Sequence, residues 1–235
     1  VAPASRIGVE VDRDGGDHRR RFYVHSNYGR RFNDGLSRLV AYRCSRRANA
    51  NVKVAVADHG FVVSMPLNRT VDLADVLRSI APGEVRADLR TALDGTELLK
   101  RYFRIDATRS LMILKRYKGY EKSAAQQQVS SEMLLSFAEE LDEFAVIEET
   151  YREILEDRLH VEGIEEVLAA VASDEVEVVQ PTVDSPTPRA FGLATLMTSD
   201  VVLAENEGEV LREFHDRVLS EIGEGDGTEG VAAED

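Results

Sequence analysis

Arginine is the side chain best supplied here for chemistry, and it is concentrated in two places. Residues 19–47 carry nine arginines (Arg19, Arg20, Arg21, Arg30, Arg31, Arg38, Arg43, Arg46 and Arg47) against one acid, Asp34. Residues 99–122, LKRYFRIDATRSLMILKRYKGYEK, carry eight Lys or Arg against Asp106 and Glu121. Aromatic rings are interleaved with both: Phe22, Tyr23, Tyr28, Phe32 and Tyr42 in the first stretch, Tyr102, Phe103, Tyr117 and Tyr120 in the second. A planar guanidinium grips a phosphate through two parallel hydrogen bonds. An aromatic face stacks on an unpaired base, so cations and rings together make the pattern of single-strand recognition. Gly29 leads a helix start, where free backbone N–H groups favour an anion. A second reading stays open: the arginines pair with acidic helices, and Phe22, Phe32 and Phe103 belong to the core.

Other chemistries lack their residues. There is no GxxxxGK[ST] and no GxGxxG to cradle phosphates. The five histidines are scattered, with no i,i+4 pair and no Cys/His cluster, which argues against zinc. The single cysteine, Cys44, cannot form a disulfide within the chain, and it reads as a small core residue in a protein of the reducing cytoplasm. No apolar run approaches the roughly 20 residues of a membrane span. The chain by itself therefore reads as non-catalytic, with no cofactor or metal of its own. Its start at Val1, without a methionine, reads as a piece of something longer.

Charge is unevenly placed along the 235 residues. Positions 1–131 hold 24 basic and 14 acidic side chains, positions 132–235 hold 5 and 29, and the total is -14. Arginine outnumbers lysine 24 to 5, no lysine follows Lys122, and tryptophan is absent. Pervasive carboxylates with few lysines suit a protein of a salt-rich cytoplasm, where net charge preserves solubility. At molar salt the Debye length is about 3 Å, so close arginine contacts survive where long-range steering does not.

The elements that must position these residues can be read from periodicity. IGVEVD (7–12) and RFYVHS (21–26) alternate as strands about a Gly15-Gly16 loop. Residues 30–47 form a helix with Phe32, Leu36, Leu39 and Val40 on one side and Arg31, Arg38, Tyr42 and Arg46 on another. NVKVAVADHGFVVSMP makes a second hairpin about Asp58-His59-Gly60. The pattern from residue 71 to about 172 is helical, with segments at 84–95, 96–104, 107–117 and 124–140. The last of these is capped by Ser123, and two amphipathic helices follow it. EVEVVQPTV (175–183) returns to strand, 206–222 reads as a last helix, and 223–235 as a disordered acidic tail. The fold expected is α+β: an antiparallel sheet of two N-terminal hairpins and a C-terminal strand region, packed with a helical middle and a C-terminal helix. The expected division is a β-rich part at 1–98, a helical part at 99–175, and a strand return at 176–222 integrated with the first.

Three stretches carry a resemblance: RRFYVHSNYGRRFNDGLSRLVAYRCSRR, LLKRYFRIDATRSLMILKRYKGYEKSAAQQQVSSEMLL and VEVVQPTVDSPTPRAFGLATLMTSDVVL. Over about residues 18–222 the chain resembles the DEAD/DEAH-box-helicase-associated domain at the C-terminal end of archaeal Lhr-type (large helicase-related) superfamily 2 helicases. The resemblance, with the acidic composition, implies a haloarchaeal helicase. Its two RecA-like motor domains, absent here, bind ATP and Mg. Its winged-helix domain and this domain complete a channel for single-stranded DNA or RNA, tracked 3′ to 5′. The residues that would face the strand are Tyr28, Arg30, Arg31, Arg38, Tyr42 and Arg46, together with Arg104, Arg109, Lys115, Arg116, Tyr117 and Lys118. Bacterial relatives have a tryptophan roughly where Leu36 stands, so base stacking there would fall to Tyr28 or Tyr42. The alternatives are an interdomain scaffold that does not grip nucleic acid, and a DNA-glycosylase-like module in which Gln126 and Gln128 orient a water.

Overall fold

The computed structural model describes residues 6–12, 18–141, 144–181 and 186–199. Strands β1 (Arg6–Asp12), β2 (Arg19–His25), β3 (Lys53–Ala57), β4 (Gly60–Pro66) and β7 (Glu177–Val179) form one sheet in the order β3-β4-β2-β1-β7. All neighbours are antiparallel except β1 and β7, which pair in parallel through Arg6 with Glu177 and Gly8 with Val179. The returning strand spans three residues rather than the nine expected, and it arrives from the helical middle, which delivers it in the same direction as β1.

Period-two alternation fixes which side chains go inward. Ile7, Val9, Val11, Phe22, Val24, Phe61, Val63 and Met65 share one core with Phe32, Leu36, Leu39 and Val40 of α1 (Arg30–Ala48), whose apolar stripe lies on that face. The opposite face carries Tyr23, Ala57 and Val62, covered by Ala190, Leu193 and Ala194 at the start of α8 (Phe191–Ser199). No helix is expected at 191–199 from the sequence, where 176–222 reads as a strand return with its one helix at 206–222. The buried positions 190, 193 and 194 nevertheless have helical spacing, and a free sheet face was available to bury them.

The remaining helices are α2 (Leu73–Arg78), α3 (Val85–Leu93), α4 (Glu97–Arg109), α5 (Ala124–Glu139), α6 (Ala145–Arg152) and α7 (Val161–Ala172). A 3₁₀ turn, Pro82–Glu84, leads into α3, and a π-helical stretch, Glu153–Arg158, continues α6. Thr96 caps α4, and Ser123 with Gln126 forms a reciprocal capping box on α5. The helix expected over 107–117 is absent. α4 ends at Arg109 with Leu111 left-handed at φ 61, and the chain then forms a short hairpin of β5 (Arg116–Tyr117) and β6 (Tyr120–Glu121). Its two central residues, Lys118 and Gly119, both have positive φ (48 and 83), as a tight two-residue turn demands. The loop around Gly15-Gly16, the helix read at 206–222 and the acidic tail lie outside the described residues.

Candidate nucleic-acid interface

The first basic stretch is organised by the turn between β2 and α1. Asn33 is fully buried, and its amide donates to the carbonyls of Ala57 and Asp58, each at 3.0 Å. Its carbonyl accepts from the Ser26 hydroxyl, and Ser26 N–H donates to the His59 carbonyl at 3.2 Å. The β2–α1 turn is thereby locked to the β3–β4 turn. Gly29 precedes α1 at φ 89 and offers no side-chain cap, and the first turn holds no acid. The positive end of a 19-residue helix is thus left without a capping side chain, flanked by exposed Arg30 and Arg31.

The structure separates the arginines that the charge pattern groups together. Arg31 is exposed with no ion-pair partner among the described residues, and Arg30 has only Asp58 at 4.0 Å. Arg38 is bound to Asp34 at 2.9 Å, and Asp34 also holds Arg158 at 2.8 Å, tying α1 to the π-helical stretch. Arg43 reaches Glu84 at 2.7 Å and pairs with Asp88, and these hydrogen bonds outweigh desolvation and raise its pKa. Arg46 donates to the Tyr42 hydroxyl at 3.0 Å and lies over its ring at 5.7 Å. Arg31 and Arg46 are 15 positions apart on one helix, about 22 Å along its axis, so α1 presents a track rather than one cluster. Tyr28 is half-buried, with its ring centroid 4.6 Å from that of Phe32. Leu36 is fully buried, which removes it from any surface.

The second stretch divides in the same way. Arg109 pairs with Asp106 at 3.3 Å and Glu153 at 3.4 Å, and Arg116 pairs across the small hairpin with Glu121 at 2.9 Å. Asp106 is buried and also accepts from the Thr150 hydroxyl at 2.9 Å, which joins α4 to α6. Lys115 is exposed and Arg104 partly so, both without an ion-pair partner among the described residues. Lys118 sits exposed at the hairpin turn, whereas Tyr117 contributes its backbone to β5 and its side chain lies outside the described atoms. Arg101 is a cation that the motif reading passed over. It is exposed and lines a shallow groove between α4 and α5 with Lys100, Arg104, Gln128 and Glu132.

Two further groups bear on catalysis. Burial pushes the Cys44 thiol up to about 12, with nearby Arg47 opposing only in part, so the sulfur stays protonated and unreactive. Gln126 has its carbonyl on the Ser123 N–H at 2.9 Å and its amide on the Tyr120 hydroxyl at 3.0 Å, while Gln128 donates to Glu132 at 3.1 Å. Among the described residues no group of three or more His, Cys, Asp or Glu is placed to hold a metal.

Residues 1–190 match the DEAD/H associated family. The chain belongs to that family. It is 36% identical over 88% of its length to the ATP-dependent helicase Lhr-Core protein 2 of Thermococcus barophilus, and 40% identical over 86% to an ATP-dependent helicase Lhr-Core of Methanothermobacter thermautotrophicus. Each match spans 24% of the relative, so the chain corresponds to about a quarter of those proteins. A solved structure of the Mycobacterium smegmatis helicase Lhr, bound to single-stranded DNA and AMP-PNP, superposes with a TM-score of 0.70. Identity is 26%, over 83% of this chain and 25% of that one. This DEAD/H associated domain is therefore of the kind carried by Lhr helicases, and its similarity extends across both basic stretches.

Proposed function

We propose that this domain works as the accessory domain of an ATP-dependent Lhr-type helicase and forms part of the path of a single strand of DNA or RNA. RecA-like domains would bind ATP and Mg, and a winged-helix domain would complete the channel. The observation that carries the reading is the start of α1: an uncapped 19-residue helix with Arg30 and Arg31 exposed at its positive end. Arg104, Lys115 and Lys118 extend the cationic surface on the α4 side, and the similar Mycobacterium smegmatis helicase was solved with single-stranded DNA. The paired arginines Arg43, Arg109 and Arg158 hold elements together in this reading, and Arg38 is paired within α1.

A second reading has a specific observation behind it. Val129, Met133, Phe137 and Leu141 recur every four residues along α5 and just beyond it, each more than half exposed. Such a stripe suits packing against another domain, as an interdomain scaffold requires. A glycosylase role has less support in these side chains, since Gln126 is committed to the α5 cap, although the Escherichia coli relative is named a helicase/uracil glycosylase.

Fluorescence anisotropy of the chain with a labelled single strand, across a salt series, separates these readings. Strand binding predicts that log K falls linearly with log salt, and that Arg31→Glu with Lys115→Glu lowers the slope by about one for each phosphate left without its cation. Absence of binding at low salt by the folded chain refutes strand contact and leaves the scaffold.

A further inference from the structure

The segment after α4 combines three features that its own folding does not require. Leu111 occupies the left-handed position of a helix-ending Schellman turn: its N–H donates to Thr108 O at 3.2 Å, and Met112 N–H donates to Ala107 O at 2.9 Å. Glycine is the residue that this position favours. Among the described residues with positive φ other than glycine, the rest are His18, Asn49, Lys118, His160 and Asp174, so Leu111 is the one apolar side chain. It gains little burial in return, being 73% exposed. Met112 and Leu114 are also exposed, while Ile113 between them is buried at 3% and its N–H donates to Ala107 O at 3.0 Å.

The apolar tip is therefore held rigidly from below. It is also fixed from the side, because Lys122 N–H donates to Lys115 O at 2.9 Å and closes the base of the β5–β6 hairpin. Close to the leucines in the chain stand the exposed Lys115 and Lys118, with Arg116 paired to Glu121, and Tyr120 is exposed at 59%. Exposed apolar side chains on an anchored turn, bordered by cations, make the chemistry of a wedge: the cations hold phosphates while the apolar groups enter a base step and part it. A protein partner would be served by the leucines but not by the cations set among them, and the uniformly apolar stripe of α5 is the better surface for that role.

We propose that Leu111 and Leu114, backed by Met112 and flanked by Lys115 and Lys118, form a base-unstacking wedge that meets a nucleic-acid duplex where its single strand emerges. The proposal rests on the single-strand reading above and adds a duplex junction to its substrates. The wedge gives the left-handed Leu111 side chain a role outside the fold.

The test uses the 235-residue chain and a forked DNA duplex with 2-aminopurine in the first base pair of the fork. Saturating protein is expected to raise the 2-aminopurine emission by roughly twofold as the base leaves its stack. Leu111→Ser with Leu114→Ser is expected to abolish the rise while single-strand affinity, read by anisotropy, stays within about twofold. Both leucines are exposed, and an unchanged circular dichroism melt verifies that the variant folds. Arg31→Glu serves as the converse control, weakening affinity but preserving the rise at saturation. Binding by the native chain with no change in emission overturns the wedge and leaves the single-strand reading standing. An equal rise with the double serine variant overturns it too, and failure to bind any strand removes both.

Discussion

Gly35 sits in the middle of α1, where a glycine forgoes about 1 kcal/mol of helix propensity relative to alanine. The structure gives the reason. A Cβ added there would lie 2.5 Å from Ile164 Cδ1, 2.6 Å from the Leu159 carbonyl oxygen and 3.2 Å from Leu159 Cβ. The isoleucine methyl can swing away, but the carbonyl belongs to the backbone turn that ends the π-helical stretch, so α1 and that turn must separate. Overpacking of this kind costs about 1–3 kcal/mol, and a backbone clash belongs at the upper end. With about 1 kcal/mol of propensity returned, Gly35→Ala is expected to destabilise the chain by about 1.5–2 kcal/mol. At about 2–4 °C per kcal/mol for a chain of this size, the melting midpoint should fall by about 3–8 °C. Urea and thermal unfolding followed by circular dichroism measure this, with the urea m-value unchanged. Gly83→Ala is the control: nothing lies within 4 Å of its Cβ position, and it should be neutral or stabilising by up to about 1 kcal/mol. A midpoint for Gly35→Ala at or above that of the native chain would refute the argument, because propensity would then have outweighed the clash.

Glu10 is buried on the outer sheet face, where its carboxylate accepts from His25 Nε2 at 2.8 Å and from the Thr187 hydroxyl and N–H at 2.8 and 3.1 Å. Desolvation raises its pKa, but these hydrogen bonds together override it and leave the carboxyl below its usual 4.5. That contribution is therefore fully present above pH 4.5 and lost as pH falls through the folded-state value. Glu10→Gln should cost about 1–3 kcal/mol near neutrality and flatten the acid limb of a stability–pH curve; an acid limb identical to the native one would count against it. Leu111→Gly should relieve the left-handed strain and raise stability by about 0.5–1 kcal/mol while removing the proposed wedge, with opposite signs read by thermal melting and the forked-duplex assay. Cys44, buried with its thiol pushed up to about 12, should resist iodoacetamide at pH 8 until urea unfolds the chain; stoichiometric labelling of the folded protein within minutes would contradict that.

Much of the fold was legible because its signals are local. Ile7, Val9 and Val11, and likewise Phe61, Val63 and Met65, alternate, and the helix read at 30–47 appears as Arg30–Ala48 with its apolar stripe inward. Ser123, read as a cap, does start α5, and the structure adds Gln126 as its reciprocal partner. The misreadings came where two local signals compete. LMIL continues the helical pattern of α4, yet Leu111 turns left-handed because burying Ile113 and closing the Lys118-Gly119 turn end the helix first. FGLATLMTS falls within the strand return read at 176–222, yet it is helical, because a bare sheet face with Tyr23 and Val62 receives Leu193 and Ala194 together with Ala190 just before it.

The candidate interface divides along the same line. The two concentrations of arginine, their interleaved rings and the glycine before α1 are properties of adjacent residues, so the sequence alone determined them. Which cations remain available is a matter of pairing between residues far apart in the chain. Arg43 meets Glu84 and Asp88, Arg109 meets Glu153, and Asp34 meets Arg158, while Arg31 and Lys115 keep no such partner among the described residues. An ion pair needs two groups within about 4 Å, and only packing α1 on α3 and the π-helical stretch, and α4 on that same stretch, sets those distances. Composition concentrated the charge, and tertiary structure decided how much of it faces outward.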